Sequence, residues 1–132
     1  QWDGTAHAGF TTGTPWMQVN PNYREINAEA ERKDPDSVFH YYRKLIRLRK
    51  EHPIFAEGDF RLLLEEDENI FAYVRRLADR ELLVVANFTE REVTCTLPEE
   101  WEDGEALIHN YKDDGKSGVL RPYESMMIER KK

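Results

Sequence analysis

The chain has 132 residues, with 26 acidic against 19 basic side chains and a formal charge of −7. That length suits one domain, or a small domain with an appended segment, and excludes a complete (β/α)8 barrel, which needs roughly 250 residues. Hydrophobic residues at 39% and aromatics at 11% exclude a disordered chain, and the acidic balance argues against nucleic acid, whose phosphates demand a basic face.

Residues 1–36 show neither helical nor strand periodicity. Gly, Thr and Pro punctuate them, as in Gly9-Phe10-Thr11-Thr12-Gly13-Thr14-Pro15-Trp16, which predicts a loop with a short turn or two. A loop this long is usually functional, and Trp2, Phe10, Trp16 and Tyr23 are too many aromatics for a floppy tail, so an ordered loop is expected. Gln1-Trp2-Asp3 sets an aromatic between an amide and a carboxylate, the chemistry that grips sugars; a core Trp2 and a turn-capping Asp3 are the structural alternative.

Residues 37–52 carry the clearest helical pattern. Asp34 is the expected N-cap, Pro35 suits the first turn, and Asp36 favours the positive end of the dipole. Val38, Tyr41, Tyr42, Leu45 and Leu48 recur at helical spacing, Phe39 and Ile46 widen the stripe, and Pro53 blocks continuation. Residues 37–53 hold five basic side chains and one acidic; this reads as an anion site or, more simply, as a solvated face matched to the dipole.

Residues 54–132 read as short strands near 61–64, 70–74, 82–88, 93–97, 105–109 and 123–129, with turns at 65–69, 78–80, 89–90 and 112–118. Such spacing indicates an antiparallel sandwich or barrel. Gly115-Lys116-Ser117 resembles the end of a phosphate-binding loop, but Asn110 stands where that motif needs Gly. Asn87-Phe88-Thr89 is a formal glycosylation sequon at the end of a hydrophobic strand. His7, His40, His52 and His109 lack metal-finger spacing, and Cys95 is expected to be a small core residue. The acidic runs at 65–68, 99–103 and 113–114 fall in expected turns, where solvation creates no general acid. No apolar run approaches the ~20 residues of a membrane span. One cysteine and no signal peptide give the cytoplasm as the expected compartment, and the start at Gln1 reads as a cut.

The order of residues adds more than composition does. Gln-Trp-Asp at 1–3, Ala-Gly-Phe at 8–10, Thr-Gly-Thr-Pro-Trp at 12–16 and Val-Asn-Pro-Asn-Tyr at 19–23 precede Asp-Pro-Asp-Ser-Val-Phe-His-Tyr-Tyr at 34–42 and Glu-His-Pro at 51–53. This succession resembles the C-terminal part of oligo-1,6-glucosidases and related α-glucosidases of the α-amylase superfamily, close relatives of trehalose-6-phosphate hydrolases and sucrose isomerases. The likeness is specific over 1–53 and looser through 54–132.

The resemblance implies a mainly β chain: an antiparallel β-sandwich C-terminal domain at 54–132, preceded by a long ordered loop and one α-helix. Loop 1–36 and helix 37–52 then belong to a (β/α)8 barrel lying mostly outside the chain. In the family, Arg-Thr-Pro-Met precedes Gln-Trp-Asp, and the nucleophilic Asp, the acid/base Glu and the stabilising Asp sit further upstream, with no counterpart here. The implied function is the C-terminal part of a retaining hydrolase of short α-glucosides, without catalytic residues of its own. Gln1, Trp2 and Asp3 are then substrate-proximal. The expected partners are the remainder of the barrel and an oligosaccharide, with no cofactor, metal, nucleic acid or membrane. The rival class is a stand-alone carbohydrate-binding or purely structural β-sandwich module.

Overall fold

A computed structural model of the protein describes residues 1–113 and 118–132. The Gly115-Lys116-Ser117 motif, Asp114 and most of the expected turn at 112–118 therefore lie outside the described residues. The chain divides into two compact units, Gln1–Arg47 and Leu48–Lys132.

In the first unit, 3-10 turns at Ala6–Gly9 and Pro21–Arg24 precede helix α1, Ala28–Lys33. The expected loop at 1–36 thus contains a helix. Its sequence, Ala-Glu-Ala-Glu-Arg-Lys, is all strong helix formers but has no apolar stripe, so periodicity could not show it. Its first N–H groups are all satisfied: Ala28 and Glu29 donate to the carbonyls of Gln1 and Trp2, each at 2.9 Å. Ala30 donates to the Asn27 side chain at 2.9 Å. The N-terminal residues therefore act as a backbone cap for α1.

Helix α2 spans Val38–Glu51. Its cap is Ser37 and not the expected Asp34: Ser37 Oγ accepts from His40 N–H at 3.4 Å, and Glu31 Oε2 accepts from Phe39 N–H at 3.3 Å. Asp34 instead closes α1 and accepts from Asp36 N–H at 2.9 Å. Pro35 cannot donate, so the chain turns between the helices before Ser37 can start the second. The expected apolar stripe is covered along one edge only. Leu48 is buried and Tyr41 and Leu45 are half-buried, whereas Val38, Tyr42 and Ile46 are exposed.

The second unit is an antiparallel sheet domain. A short helix α3, Ile54–Glu57, leads into β1 (Asp59–Leu63), β2 (Ile70–Leu77), β3 (Arg80–Asn87), β4 (Val93–Thr94), β5 (Glu105–His109), β6 (Val119–Leu120) and β7 (Ser125–Lys131). The large sheet runs β1-β2-β3-β7-β5, and β4 pairs with β6 in a second, two-stranded sheet. Only Val93 and Thr94 of the expected strand 93–97 pair, because Pro98 and a 3-10 turn at Glu99–Trp101 follow closely.

The core lies between the two sheets. Ile70, Ala72 and Val74 of β2 meet Leu83 and Val85 of β3, Met126 and Ile128 of β7, and Cys95, Trp101 and Leu120 from the smaller sheet and its flanks. The register fixes this choice of face, since Ala72 pairs with Val85 and Val85 with Met126. Cys95 holds the expected core position, and burial pushes its thiol pKa up. Gly104 sits where a Cβ would come 2.3 Å from Ile128 Cγ2, so the chain passes the core there without a side chain.

Candidate functional site

The N-terminal loop is held by an unusual backbone. His7, Ala8 and Gly9 are all left-handed, at φ 58°, 54° and 71°. Left-handed residues cost roughly 1–2 kcal/mol each outside glycine, and successive ones persist only where the surroundings fix them. Here Ala8 is fully buried, its N–H donates to Thr5 C=O at 3.0 Å, and its C=O accepts from Trp2 N–H at 3.0 Å. The turn therefore folds residues 6–10 back onto Trp2.

That fold-back also sets Asp3. Its Oδ1 accepts from Thr5 N–H at 2.8 Å and from the Thr5 hydroxyl. These bonds hold its carboxyl below the usual carboxylate range. Gly9 leaves room for this carboxylate, since a Cβ there would sit 2.8 Å from Asp3 Oδ2. Trp2 is 62% exposed, with Phe10 edge-on at 6.4 Å. Gln1 turns its side-chain amide onto Ile26 C=O. Of the three expected site residues, Trp2 offers an open ring face, Asp3 a fixed anion, and Gln1 an amide already engaged.

Trp2 also lines a groove of about 710 Å³ with Phe39, Arg32, Lys33, His40 and Arg43. Arg43 belongs to the basic stretch noted in the sequence. Arg32 and Lys33 were missed, because they ride on the unpredicted α1. Lys33 pairs with Glu29 at 2.7 Å, and His40 Nε2 lies 3.0 Å from Arg32 C=O. An aromatic face beside cations is a surface for polar, hydroxyl-rich or anionic groups.

The second unit carries carboxylates of another kind, which sequence reasoning did not single out. Glu124 is fully buried: Arg121 donates through its backbone N–H at 2.6 Å, Nε at 2.9 Å and Nη2 at 2.8 Å, and His109 Nε2 lies at 2.6 Å. Burial alone would push this carboxyl up, but the Arg121 and His109 bonds bring it down to about 2. Arg121 in turn grips Asp113 and lies 3.9 Å over the Tyr111 ring. Glu81 is gripped by Arg130 and lies 2.6 Å from Arg76 Nε; burial opposes its charge, but the arginines hold its pKa low. Glu129 accepts from Arg80 at 2.7 Å. The only sequence signal for these networks is an excess of acidic over basic residues in a region that reads as strands.

The acidic runs hold structural posts. Asp67 Oδ1 accepts from the N–H groups of Asn69 and Ile70 at 2.8 and 3.0 Å, and Glu100 lies 3.3 Å from Arg130. Asn87, first residue of the sequon, is buried. Its amide donates to Arg91 and Arg121 carbonyls at 2.7 and 2.9 Å while its Oδ1 accepts from Thr89. Among the described residues no group of three or more His, Cys, Asp or Glu side chains could hold a metal ion, and no helix is long and apolar enough to cross a membrane.

A structured aromatic loop and a long helix thus precede an antiparallel sheet domain. In comparison with known proteins, residues 1–58 match the α-amylase catalytic domain and residues 70–127 the C-terminal domain of the α-amylase SusG. The oligo-1,6-glucosidase of Bacillus cereus is 49% identical over 99% of this chain and 24% of its own length. The solved trehalose-6-phosphate hydrolase of Bacillus licheniformis superposes with a TM-score of 0.92 at 45% identity, over 100% of this chain and 25% of that one. The isomaltulose synthase of Klebsiella sp. LX3 gives 0.89 at 38% identity, over 98% and 24%. The chain is similar, over two stretches that together take in most of it, to the α-amylase superfamily and to a C-terminal segment of its oligo-1,6-glucosidases. It spans about a quarter of the length of these relatives.

Proposed function

We propose that the chain is the C-terminal part of a retaining glycoside hydrolase that cleaves α-glucosidic bonds in short oligosaccharides of the isomaltose or maltose type. In this reading residues 1–53 close the catalytic barrel, and 54–132 are the β-sandwich domain behind it. The carrying observation is the loop at 1–10, where three left-handed residues hold an exposed indole beside an anchored carboxylate. Trp2 stacks on a glucose ring, and Asp3, ionised because Thr5 satisfies its charge, accepts from sugar hydroxyls. Bond cleavage belongs to carboxylates outside these residues. Retention needs two carboxyls about 5 Å apart, one of them protonated, whereas the buried Glu81 and Glu124 are both held ionised by arginines.

Helix α2 supports the barrel assignment. Its apolar stripe is broad enough to pack against more than one neighbour, and the Val38, Tyr42 and Ile46 part of it is exposed among the described residues. A cytoplasmic location belongs to the same reading, supported by the lone buried thiol of Cys95. The aromatic-cation groove beside Trp2 also suits a phosphorylated disaccharide, which keeps a trehalose-6-phosphate hydrolase as the second reading.

The test is made in the complete polypeptide. Trp2→Ala and Asp3→Ala are expected to lower kcat/KM on isomaltose at least tenfold with little change in thermal midpoint. The 132-residue chain alone is expected to release no nitrophenol from an aryl α-glucoside. Unchanged kcat/KM in both variants makes the loop structural, and turnover by the isolated chain returns the catalytic carboxylates to these residues. Comparing isomaltose with trehalose 6-phosphate and sucrose decides the substrate.

A further inference from the structure

The Asp3 carboxylate is tied by one oxygen and open at the other. Its bonds from Thr5 N–H, at 2.8 Å, and from the Thr5 hydroxyl both fall on Oδ1, and Oδ2 takes none among the described residues. Gly9 approaches closest to Oδ2, where a Cβ would come within 2.8 Å. An ionised carboxylate is an acceptor at both oxygens, so Oδ2 is the one left for a ligand hydroxyl.

Thr5 is also joined to the indole. Its C=O accepts from Ala8 N–H, and Ala8 C=O accepts from Trp2 N–H. Trp2 C=O in turn accepts from Glu29 N–H at 2.9 Å, so backbone bonds hold the residue that carries the ring on both sides. The Asp3 side chain has no such support, since Thr5 is its one hydrogen-bond partner among the described residues. The Thr5 hydroxyl is not occupied by its usual structural task either. Thr5 precedes the 3-10 turn at Ala6–Gly9 as its N-cap, where a threonine oxygen ordinarily accepts from the turn's N–H groups, yet its side chain makes no cap bond there. Thr5 is exposed, and its hydroxyl is spent on Asp3 alone.

We propose that Thr5 is a positioning residue of the sugar site: its hydroxyl fixes the Asp3 rotamer so that Oδ2 accepts from a hydroxyl of the glucose ring stacked on Trp2. The inference rests on the reading under Proposed function, and adds to it which carboxylate oxygen meets the sugar and what holds it there. A freely turning aspartate would have to be ordered each time a sugar binds, whereas one already held by Thr5 is ordered beforehand. The bond is charge-assisted, which makes it stronger than one between neutral groups.

The test is Thr5→Val in the complete polypeptide. It keeps the branched shape, suits the extended backbone at φ −76° and ψ 176°, and leaves the Thr5 N–H and C=O bonds in place. It is expected to raise KM for isomaltose about fivefold with kcat nearly kept, the mark of binding lost equally from ground and transition states, at an unchanged thermal midpoint. Thr5→Ser returns the hydroxyl and should return KM close to the wild type. The Thr5 hydroxyl and then its N–H hold the Asp3 carboxyl low, with no charged side chain among the described residues contributing. Thr5→Val therefore raises that carboxyl, and the acid limb of kcat/KM should move to higher pH. In an Asp3→Ala background, Thr5→Val should cost nothing further, because it acts through that carboxylate. A wild-type KM and acid limb in Thr5→Val overturn the inference. So do additive losses in the double variant, or a loss that follows a lower thermal midpoint and that Thr5→Ser does not restore. Where Asp3→Ala still lowers kcat/KM, these results leave the proposed function standing. Unchanged kcat/KM in both Trp2→Ala and Asp3→Ala removes the sugar site itself, and the role of Thr5 with it.

Discussion

Replacing Glu124 by Gln removes a charge and keeps the shape, and its cost is expected to depend on pH. The folded carboxyl titrates at about 2 against an ordinary 4.5. Because the folded value is depressed, ionisation stabilises the native state above the unfolded pKa, and that contribution disappears as pH falls toward the folded one. The full shift corresponds to an upper bound of about 3 kcal/mol. The Arg121 side chain is 29% exposed, so water screens part of the attraction, and about 2 kcal/mol is the expected loss at pH 7. Urea unfolding of the wild type and Glu124→Gln at pH 7, 5 and 3 measures it. The difference should hold between pH 7 and 5 and drop below about half by pH 3. What remains at low pH is the mismatch of an amide N–H facing the donors of Arg121. A loss that is the same at all three pH values would falsify the linkage and reduce the Glu124 network to packing.

Three further substitutions test how the fold is held. Asn87→Ala leaves the Arg91 and Arg121 carbonyls and the Thr89 N–H without their partner, and is expected to cost about 2–3 kcal/mol in urea unfolding; a cost under about 0.5 kcal/mol means that water replaces the amide. Gly104→Ala drives a methyl into Ile128, which is fully buried, and is expected to cost about 2 kcal/mol or more, read as a lower thermal midpoint; an unchanged midpoint refutes the close approach. Ser37→Ala removes the α2 cap and is expected to cost about 1 kcal/mol, whereas Asp34→Ala should leave far-UV helicity of α2 nearly untouched; the reverse ranking restores Asp34 as the cap.

Strands and their turns were legible because short apolar runs alternate between Gly- and Asp-rich stretches, and 105–109 coincides with β5 as observed. Helix α1 was not, because six strong helix formers without an apolar residue larger than Ala carry propensity but no periodicity. The cap of α2 was misassigned because Asp34-Pro35-Asp36-Ser37 offers three capping side chains in four residues, and only the bonds from His40 and Phe39 identify Ser37 and Glu31. At the candidate site, Trp2 and Asp3 could be named from their chemistry. The turn that holds them could not, since His7 and Ala8 are ordinary residues whose left-handed backbone is set by their neighbours. The buried carboxylates were invisible for a related reason. A glutamate in a strand reads as solvent-facing until the arginine opposite it in the register, Arg130 for Glu81, is known.

In α2 the broad apolar stripe is covered along Tyr41, Leu45 and Leu48 and open along Val38, Tyr42 and Ile46. In β2 the two phases of the alternation, Ile70-Ala72-Val74 and Phe71-Tyr73, are both apolar, and only the first reaches the core. A surface strand of a free-standing domain carries one apolar face and one polar face, whereas a strand apolar on both sides is a middle layer. A half-open stripe on a helix and a second apolar face on a strand bear on the choice between a stand-alone module and part of a larger body. A module would have to leave both in water, which proteins seldom do with large apolar patches, whereas a larger body would cover them.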